Sequence, residues 1–435
     1  MNELAEVLLE AAEERGISGP LRRLAASALE EIEPAWRERD ARAARVGAKV
    51  LAAFSRVQLN DADLAGTTGY GYHDSGREKY ERLLAEVFGA QAAFARLQFA
   101  SGTHAIVTAV RALLGDRGRL VSLSGPPYDT LRTALLESLH TEANGAPRYA
   151  EATWDASAAP SGDAVRVALS GGADVAFIQR SRGYAPRPSL SIDAVARLVE
   201  QARSACPRAV IVVDNCYGEL VEEREPLAVG ADLLVGSLIK NPGGGLAPGG
   251  AYVAGDASHV ERVADALFGR GLGTQIGPTY HTLPAMFAGL HRAPSGIVAS
   301  LKILDFAAAL FAKLGFAVDP LAGAPRTDII QAIRLSERQR LLAFSEGLQT
   351  AMPVNARARP EPGPVPGYRD PVVMAIGGFV GGSTMELSSD APLREPFDVY
   401  VQGGLDVTHG VLACMLAADR VWQTAGAAGR RENRS

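Results

Sequence analysis

Short, continuously apolar segments alternate with amphipathic segments from about residue 56 to about residue 292, and no other feature constrains the fold as strongly. "RAVIVVDN" (208–215) and "DLLVGSLI" (232–239) are typical of strands buried on both faces, because neither alternates polar with apolar residues. "SIDAVARLVEQARSA" (191–205) has helical spacing behind a serine cap. Strands and helices that alternate in units of roughly 30 residues predict a doubly wound α/β domain with a mainly parallel sheet.

The sequence changes character twice, which predicts three parts. Residues 1–55 are rich in Ala, Leu, Glu and Arg at helical spacing and are predicted to form an N-terminal helical arm. The large α/β domain is assigned to residues 56–292. Residues 293–435, with longer helices, a proline-rich turn region and the apolar runs "VVMAIGGF" and "STMELSS", are predicted to form a smaller α+β domain with antiparallel strands.

Charge and composition exclude several classes of function. A formal net charge of −5 and a pI near 5.9 disfavour a nucleic-acid partner or an anionic membrane surface, both of which select a basic face. The acidic, amphipathic N-terminus lacks the features of a signal peptide, and we expect no membrane-spanning segment. Three scattered cysteines are too few for a disulfide framework or a zinc site. The sequence therefore predicts a cytoplasmic protein without a bound metal.

One lysine occupies an unusual place. Only five of the 44 basic residues are lysines, yet Lys240 ends an apolar, strand-like run and precedes a cluster of glycines. A strongly hydrated ammonium at such a position is explained either as a strand-end side chain whose head reaches water or as a reactive amine. Buried amines most often react by forming a Schiff base with a carbonyl cofactor, above all pyridoxal 5'-phosphate (PLP).

PLP also needs an anion facing its pyridine nitrogen, and Asp214 satisfies that requirement. Asp214 ends the strand "RAVIVVD", so its carboxylate should emerge at the carboxyl end of a parallel strand, where open α/β sheets bind ligands. Lys240 follows the next strand and should reach the same edge. An Asp-Asn turn is the alternative for Asp214 alone, but the combined strand, crossover, strand and lysine pattern favours the cofactor site.

Candidates for the phosphate and the ring come from two other segments. Ser101, Gly102 and Thr103 lie where a strand turns into a helix, and helix N-termini bind anions. Ser237 can add a hydroxyl from three residues before the lysine. Tyr128, in "GPPYDTL", can stack on the ring. The alternatives are an ordinary helix cap for the first group and a packed core tyrosine for Tyr128.

Taken together, these segments resemble the PLP-dependent fold-type I enzymes, specifically the aluminium-resistance or methionine γ-lyase-like family. The resemblance rests on "GYGYHDSGREKYE", "QFASGTHAI", "PYDTL", "QRSRGY", "VDNCYGELVE", "ADLLVGSLIKNPGGGLAPGGAYVAG" and "STMELSSDAPLREP", and it covers roughly residues 66–405. It implies that Lys240 is the Schiff-base lysine, that Asp214 is the pyridinium partner and that Tyr128 is the stacking tyrosine. It also implies that Ser101, Gly102, Thr103 and Ser237 form the phosphate shell.

The resemblance further implies active sites shared between subunits. Related γ-lyases take a tyrosine from the neighbouring subunit, and the matching region here contains Tyr70 and Tyr72, with Arg77 as a phosphate partner. A homodimer or homotetramer is therefore expected. An arginine should bind the substrate carboxylate bidentately, with Arg394 preferred over Arg182. Glu219 and Glu222 are predicted to be solvated.

The function predicted from these residues is elimination, most simply γ-elimination, from a side-chain-substituted L-amino acid. Lys240 would act as the base and Tyr128 as an acid for the leaving group. Two departures from the family pattern, including "DVTH" after "VQGGL", leave open a specialised eliminase that makes an alkynyl amino acid from a halogenated one, as propargylglycine synthases do. An aminotransferase on the same fold and a non-catalytic PLP-binding protein also remain alternatives.

Overall fold

The structure is a computed structural model that describes residues 3–139, 148–154 and 159–432. Its helices are α1 Glu3–Glu14, α2 Gly19–Val57, α3 Ser75–Phe88, α4 Gly102–Leu114, α5 Asp129–Ser138, α6 Gly162–Leu169, α7 Ile192–Ala205, α8 Ala257–Phe268, α9 Leu283–Lys313, α10 Arg338–Gln349 and α11 Val407–Glu432. Its strands are β1 Ala92–Arg96, β2 Leu120–Ser122, β3 Tyr149–Glu151, β4 Val175–Gln179, β5 Val210–Asp214, β6 Leu233–Ser237, β7 Ala251–Gly255, β8 Ala317–Asp319, β9 Ile330–Arg334, β10 Pro362–Gly363, β11 Val372–Ala375, β12 Ser388–Pro392 and β13 Asp398–Gln402.

A seven-stranded sheet forms the centre of one compact unit, residues 45–294. Its strand order is β1-β7-β6-β5-β4-β2-β3, and the neighbours from β3 through β2, β4 and β5 to β6 are parallel. Strand β7 runs antiparallel to both of its neighbours, β6 and β1. The mainly parallel α/β sheet predicted from the sequence is confirmed.

Apolar strand residues hold this sheet against its helices. Val212 of β5 and Val235 of β6 are fully buried, and they share one hydrophobic core with Ile106 of α4. Strands with two covered faces leave no room for polar alternation, which is why these segments read as continuous apolar runs. The polar residues at the ends of β5 and β6 are therefore the ones free to form a site.

The other compact unit combines residues 1–44 with residues 295–435. It contains a six-stranded antiparallel sheet in the order β10-β11-β12-β13-β9-β8. The buried carboxylate of Asp305 accepts from Arg39 at 3.3 Å and from Arg326 at 2.6 Å. The division of the chain into 1–55, 56–292 and 293–435 stays a prediction. The compact units differ from it by grouping the first 44 residues with the C-terminal part.

One strand in this unit begins later in the chain than the sequence predicted. The run "STMELSS" is strand only from Ser388 onward. The backbone before it is held differently, because the Glu386 carboxylate accepts hydrogen bonds from the N–H groups of Phe379 and Val380 at 2.6 and 2.9 Å. By accepting these two hydrogen bonds, the Glu386 side chain holds the preceding residues in a glycine-rich loop rather than in a strand.

Helix α9 is long and apolar enough to cross a membrane by length and composition alone. In the structure, however, 78% of its most apolar window is buried inside the protein. Burial of that extent is the property of a core helix.

Candidate active site

Two polar residues end adjacent parallel strands on one edge of the large sheet. Asp214 is the last residue of β5 and pairs with Val235 of β6, while Ser237 is the last residue of β6. Both side chains are about 4% exposed. Because carboxyl ends of parallel strands open onto one crevice, this edge is the natural ligand site of the sheet.

Lys240 reaches this edge on a tight turn. Its N–H donates to the Ser237 carbonyl at 3.2 Å, and its own carbonyl accepts from Gly243 at 3.0 Å. The side chain is half-buried, and its amine lies over the ring of Tyr217, 4.1 Å from the ring centre. Burial on its own would lower the pKa of the Lys240 amine. The Tyr217 phenol, with the Cys216 thiol and the Glu219 carboxyl, outweighs burial and raises that pKa above its ordinary value.

Asp214 is stabilised as an anion against the effect of its own burial. Burial raises the pKa of Asp214 to about 6. The Cys216 thiol and backbone N–H oppose that rise by hydrogen-bonding to the carboxylate, the N–H at 3.1 Å, and the charges of Lys240 and Arg187 act in the same direction. Near neutral pH the site therefore holds a buried carboxylate, which is what a protonated pyridine nitrogen requires.

The N-terminus of α4 closes the site from the other side. Ser101 caps the helix by accepting from the His104 N–H at 3.1 Å. A Cβ on Gly102 would lie 3.2 Å from the Ser237 Cβ and 3.7 Å from the Cys216 sulfur. The helix backbone thus approaches the end of β6 closely only because residue 102 is glycine. A cradle of this kind offers N–H groups and a helix dipole to an anion.

Tyr128 joins the same site from the start of α5. Its hydroxyl and the Thr103 hydroxyl are 2.7 Å apart, and its backbone N–H donates to the Gln179 side chain at 2.8 Å. Burial, followed by the charge of Asp214, raises the pKa of Tyr128 well above its ordinary value. The phenol therefore keeps its proton and can act as a donor.

Tyr70 and Tyr72 lie elsewhere, on an exposed glycine-rich loop. They are 74% and 49% exposed, with ring centres 5.9 Å apart. Arg77 is buried below that loop, where its guanidinium donates to the carbonyls of Gly71 at 2.6 Å and Gly277 at 2.8 Å. The structure thus shows Arg77 tying two loops together, and a phosphate contact for it stays a prediction.

The two arginines proposed for the substrate carboxylate lie in different units. Arg182 is buried in the large-sheet unit, and its backbone N–H donates to Ser189 at 3.0 Å. Arg394 belongs to the other unit, with a side chain 39% exposed and a nitrogen 3.8 Å from Asp370. Choosing between them stays a prediction.

Sequence reasoning missed several residues around Lys240 and Asp214. Tyr217 was not singled out, although its place three residues after Asp214 on the same turn was a usable signal. Arg187 was also missed: it is buried, stacks on Trp154 at 4.8 Å and acts electrostatically on Asp214. The prediction that Glu219 and Glu222 are solvated is wrong. Glu219 is fully buried, and Glu222 is half-buried against the Arg180 guanidinium at 2.5 Å.

The residues at this edge fit PLP on the observations of this structure. A lysine amine and a buried carboxylate share the crevice, a glycine cradle opens a helix N-terminus beside a buried serine, and a tyrosine lies next to the cradle. These are the groups that would hold the C4' carbonyl, the ring nitrogen, the phosphate and the ring face. No group of three or more metal-ligating side chains was found within the described ranges.

Comparisons with known proteins agree with this chemistry. The methionine gamma-lyase family model matches residues 21–422. The uncharacterized protein YnbB of Bacillus subtilis (strain 168) is 39% identical over 385 residues, which are 86% of this chain and 90% of YnbB.

Solved structures give the same result. A carbon-sulfur lyase involved in aluminium resistance from Clostridium novyi NT is 32% identical, with a TM-score of 0.88 over 97% of this chain and all of that chain. A proposed cystathionine beta-lyase involved in aluminium resistance from Listeria monocytogenes is 36% identical, with a TM-score of 0.87 over 92% and 100% of the two chains. The PLP-dependent protein YhfS of Escherichia coli, at 18% identity and a TM-score of 0.58, shares the fold. The predicted fold-type I architecture is confirmed.

Proposed function

This chain belongs to the methionine gamma-lyase family of PLP-dependent enzymes, and we propose that it eliminates a side-chain leaving group from an L-amino acid. A carbon-sulfur bond is the first candidate for cleavage, and γ-elimination is preferred over β-elimination. The single observation that carries the proposal is the meeting of Lys240, Asp214 and the Gly102 cradle at one sheet edge. PLP, when bound there, supplies a conjugated electron sink next to the substrate Cα.

Four residues would hold the phosphate and two would hold the ring. The backbone of Gly102 and the hydroxyls of Ser101, Thr103 and Ser237 supply donors at the α4 N-terminus, where the helix dipole adds favourable charge. Tyr128 would lie against the ring face. The Asp214 carboxylate would keep the ring nitrogen protonated by a charge-assisted hydrogen bond.

Lys240 would move protons during the reaction. As a neutral amine it would take the Cα proton and become an ammonium; for γ-elimination it would give that proton up within the site before taking a Cβ proton. Tyr128 keeps its own proton because of burial and Asp214, so it is placed to protonate the departing group. The substrate carboxylate would be bound by Arg394 or Arg182, since guanidinium matches a carboxylate bidentately.

We also propose a homo-oligomer with shared sites, either a dimer or a tetramer. Two exposed tyrosines on a rigidly tied loop support it, because exposed loop aromatics commonly serve in binding. We likewise propose a cytoplasmic location, supported by the three cysteines, which are all free thiols. No nucleic acid or membrane enters the proposal.

Mass spectrometry of the products tests the function. The PLP-loaded protein is incubated with L-amino acids that carry sulfur or halogen leaving groups on the β or γ carbon, including chloroallylglycine. Loss of the leaving group with formation of a 2-oxo acid and ammonia supports the proposed lyase and identifies the carbon. Loss of the leaving group with the amine retained favours the alkyne-forming alternative. Amine exchange without loss of a leaving group, or no reaction, would overturn the proposal.

A further inference from the structure

A buried acid that the mechanism does not use lies beneath the Lys240 turn. Glu219 is 0% exposed, and its Oε1 accepts from the Tyr252 hydroxyl of β7 at 3.1 Å. A Cβ on Gly236 would lie 2.7 Å from that oxygen and 2.6 Å from the Tyr252 oxygen. The Glu219 carboxyl and the Tyr252 hydroxyl thus occupy the space that a side chain at position 236 would need, so only glycine fits there.

Two buried side-chain oxygens, one on Glu219 and one on Asn241, have no hydrogen-bond partner in the described part of the chain. They are Oε2 of Glu219 and Oδ1 of Asn241. The Asn241 amide orientation is fixed, because its Nδ2 donates to the carbonyls of Tyr217 and Glu219, both at 2.9 Å. Buried acceptors without a donor are destabilising, because the water that they lose on folding is not replaced. A single proton on Glu219 Oε2 would let one oxygen donate to the other.

We propose that Glu219 is a protonated acid that donates to Asn241 Oδ1 and thereby positions the turn that carries Lys240. Asn241 directly follows Lys240. Hydrogen bonds at both Nδ2 and Oδ1 of Asn241 would therefore fix the backbone that carries the Lys240 side chain. Glu219 is a positioning residue in this scheme, since it acts through Asn241. The inference rests on the proposed function, in which Lys240 is the reacting amine.

Burial and two neighbouring carboxylates favour the protonated form of Glu219. Burial comes first, and the carboxylates of Glu225 and Asp214 add to it, raising the pKa of Glu219 to about 8. The backbone N–H of Glu219 itself opposes that rise most strongly, followed by the Tyr252 hydroxyl through its hydrogen bond. The Cys216 thiol and the Lys240 ammonium also face the group from the β5 loop and the β6 end. Asp214 loses its proton at about pH 6 and Glu219 at about pH 8. Between these two values Glu219 is therefore protonated while Asp214 is ionised.

The first test measures PLP affinity by visible absorbance from below pH 8 to above it. For the unsubstituted protein we expect the affinity to fall as the pH passes 8, because Glu219 loses its proton and Asn241 its donor. Glu219→Gln keeps a donor at every pH, so its affinity should stay level over the range. Glu219→Met has no donor and should bind PLP about tenfold more weakly throughout. Glu223→Gln, an exposed acid on the same loop that pairs with Arg45 at 2.6 Å, is the matched control and should follow the unsubstituted protein.

The second test needs neither PLP nor substrate. The infrared spectrum of the PLP-free protein at about pH 7, where Asp214 is mostly ionised, should show a carbonyl band of a protonated acid that Glu219→Gln lacks and Glu223→Gln retains. The proposal is overturned if that band is common to all variants, or if Glu219→Gln keeps the alkaline loss of PLP affinity. Failure of the unsubstituted protein to bind PLP at any pH would instead overturn the proposed function, while the infrared band would still report the Glu219 proton.

Discussion

The amine of Lys240 lies over the ring of Tyr217, 4.1 Å from its centre, and the Tyr217 phenol acts to raise the pKa of that amine. Tyr217 has a left-handed backbone, with φ of +71°, a conformation that costs a non-glycine residue about 1–2 kcal/mol. Its carbonyl is held by Asn241 at 2.9 Å. The turn after β5 is thus strained at Tyr217, and this strained conformation places the aromatic ring and its phenol against the lysine amine.

Tyr217→Phe should lower the pKa of Lys240. The substitution keeps the ring and its attraction for the cation, worth about 0.5–2 kcal/mol, but removes the hydroxyl that stabilises the ammonium. The amine should therefore react at lower pH. The rate of acylation of Lys240 in PLP-free protein, followed by peptide mass spectrometry against pH, measures the change. Lys302, paired with Asp40 at 2.6 Å, is the internal control. An unchanged Lys240 profile would show that the phenol has no influence on the amine.

Asp214 makes stability and PLP affinity respond to pH in opposite directions. Its folded pKa, near 6, lies above the ordinary value of 3.8, so the folded protein binds more protons than the unfolded chain between those values. Stability should fall as the pH rises from about 4 to about 6, by about 3 kcal/mol for this residue. PLP affinity should rise over the same range, because the ring nitrogen needs the carboxylate.

Asp214→Asn separates these two effects. Without an ionisable group, the variant should be more stable than the unsubstituted protein above pH 6, and the difference should vanish near pH 4. It should also bind PLP about 10–100-fold more weakly, since a charge-assisted hydrogen bond is lost. Thermal melts of PLP-free protein and PLP titrations, each against pH, check both. Equal melting at neutral pH together with unchanged PLP affinity would contradict the role given to Asp214.

Gly102→Ala tests the cradle. The added Cβ would lie 3.2 Å from the Ser237 Cβ, so α4 and the end of β6 must separate by a few tenths of an ångström. We expect PLP affinity to fall about tenfold or more, with less than about 2 kcal/mol lost from the stability of the PLP-free protein. Gly363→Ala, where nothing lies within 4 Å of the new Cβ, is the matched control. Equal PLP affinities of the two variants would mean that this contact does not shape the phosphate site.

The ends of β5 and β6 were predictable because local pattern determines them. Apolar runs of strand length that finish in Asp214 and near Ser237 fix which polar groups face the sheet edge, since parallel strands share one direction. The start of α4 was predictable for a similar reason. A serine and a glycine after a short strand are a helix cap wherever they occur.

Residues whose environment comes from distant parts of the chain were not predictable. Glu219 lies in "GELVEERE", a segment typical of a solvated acidic turn, but in the fold Tyr252 and Gly236 of later strands lie against its carboxyl group. The burial of Arg77 likewise depends on a distant residue, since its guanidinium donates to the carbonyl of Gly277, 200 positions along the chain. Burial by remote elements overrides local composition, and a single sequence carries no measure of it.

The exposed tyrosines give the sharpest test of shared sites. If Tyr70 and Tyr72 act in a neighbouring subunit, then a variant lacking both and a variant lacking Lys240 are each inactive for different reasons. Mixing Tyr70→Phe/Tyr72→Phe with Lys240→Ala under conditions that exchange subunits should create hybrids with an intact site. Elimination activity should therefore reappear in the mixture.

The same pair of variants controls the experiment. Each variant taken alone through the exchange procedure should stay inactive. The double tyrosine variant should also keep the thermal stability of the unsubstituted subunit, because the tyrosine side chains are 74% and 49% exposed. Size-exclusion chromatography with light scattering shows whether hybrids form. If hybrids form and remain inactive, the tyrosines serve the site of their own subunit. If the double tyrosine variant is fully active by itself, neither residue belongs to the site.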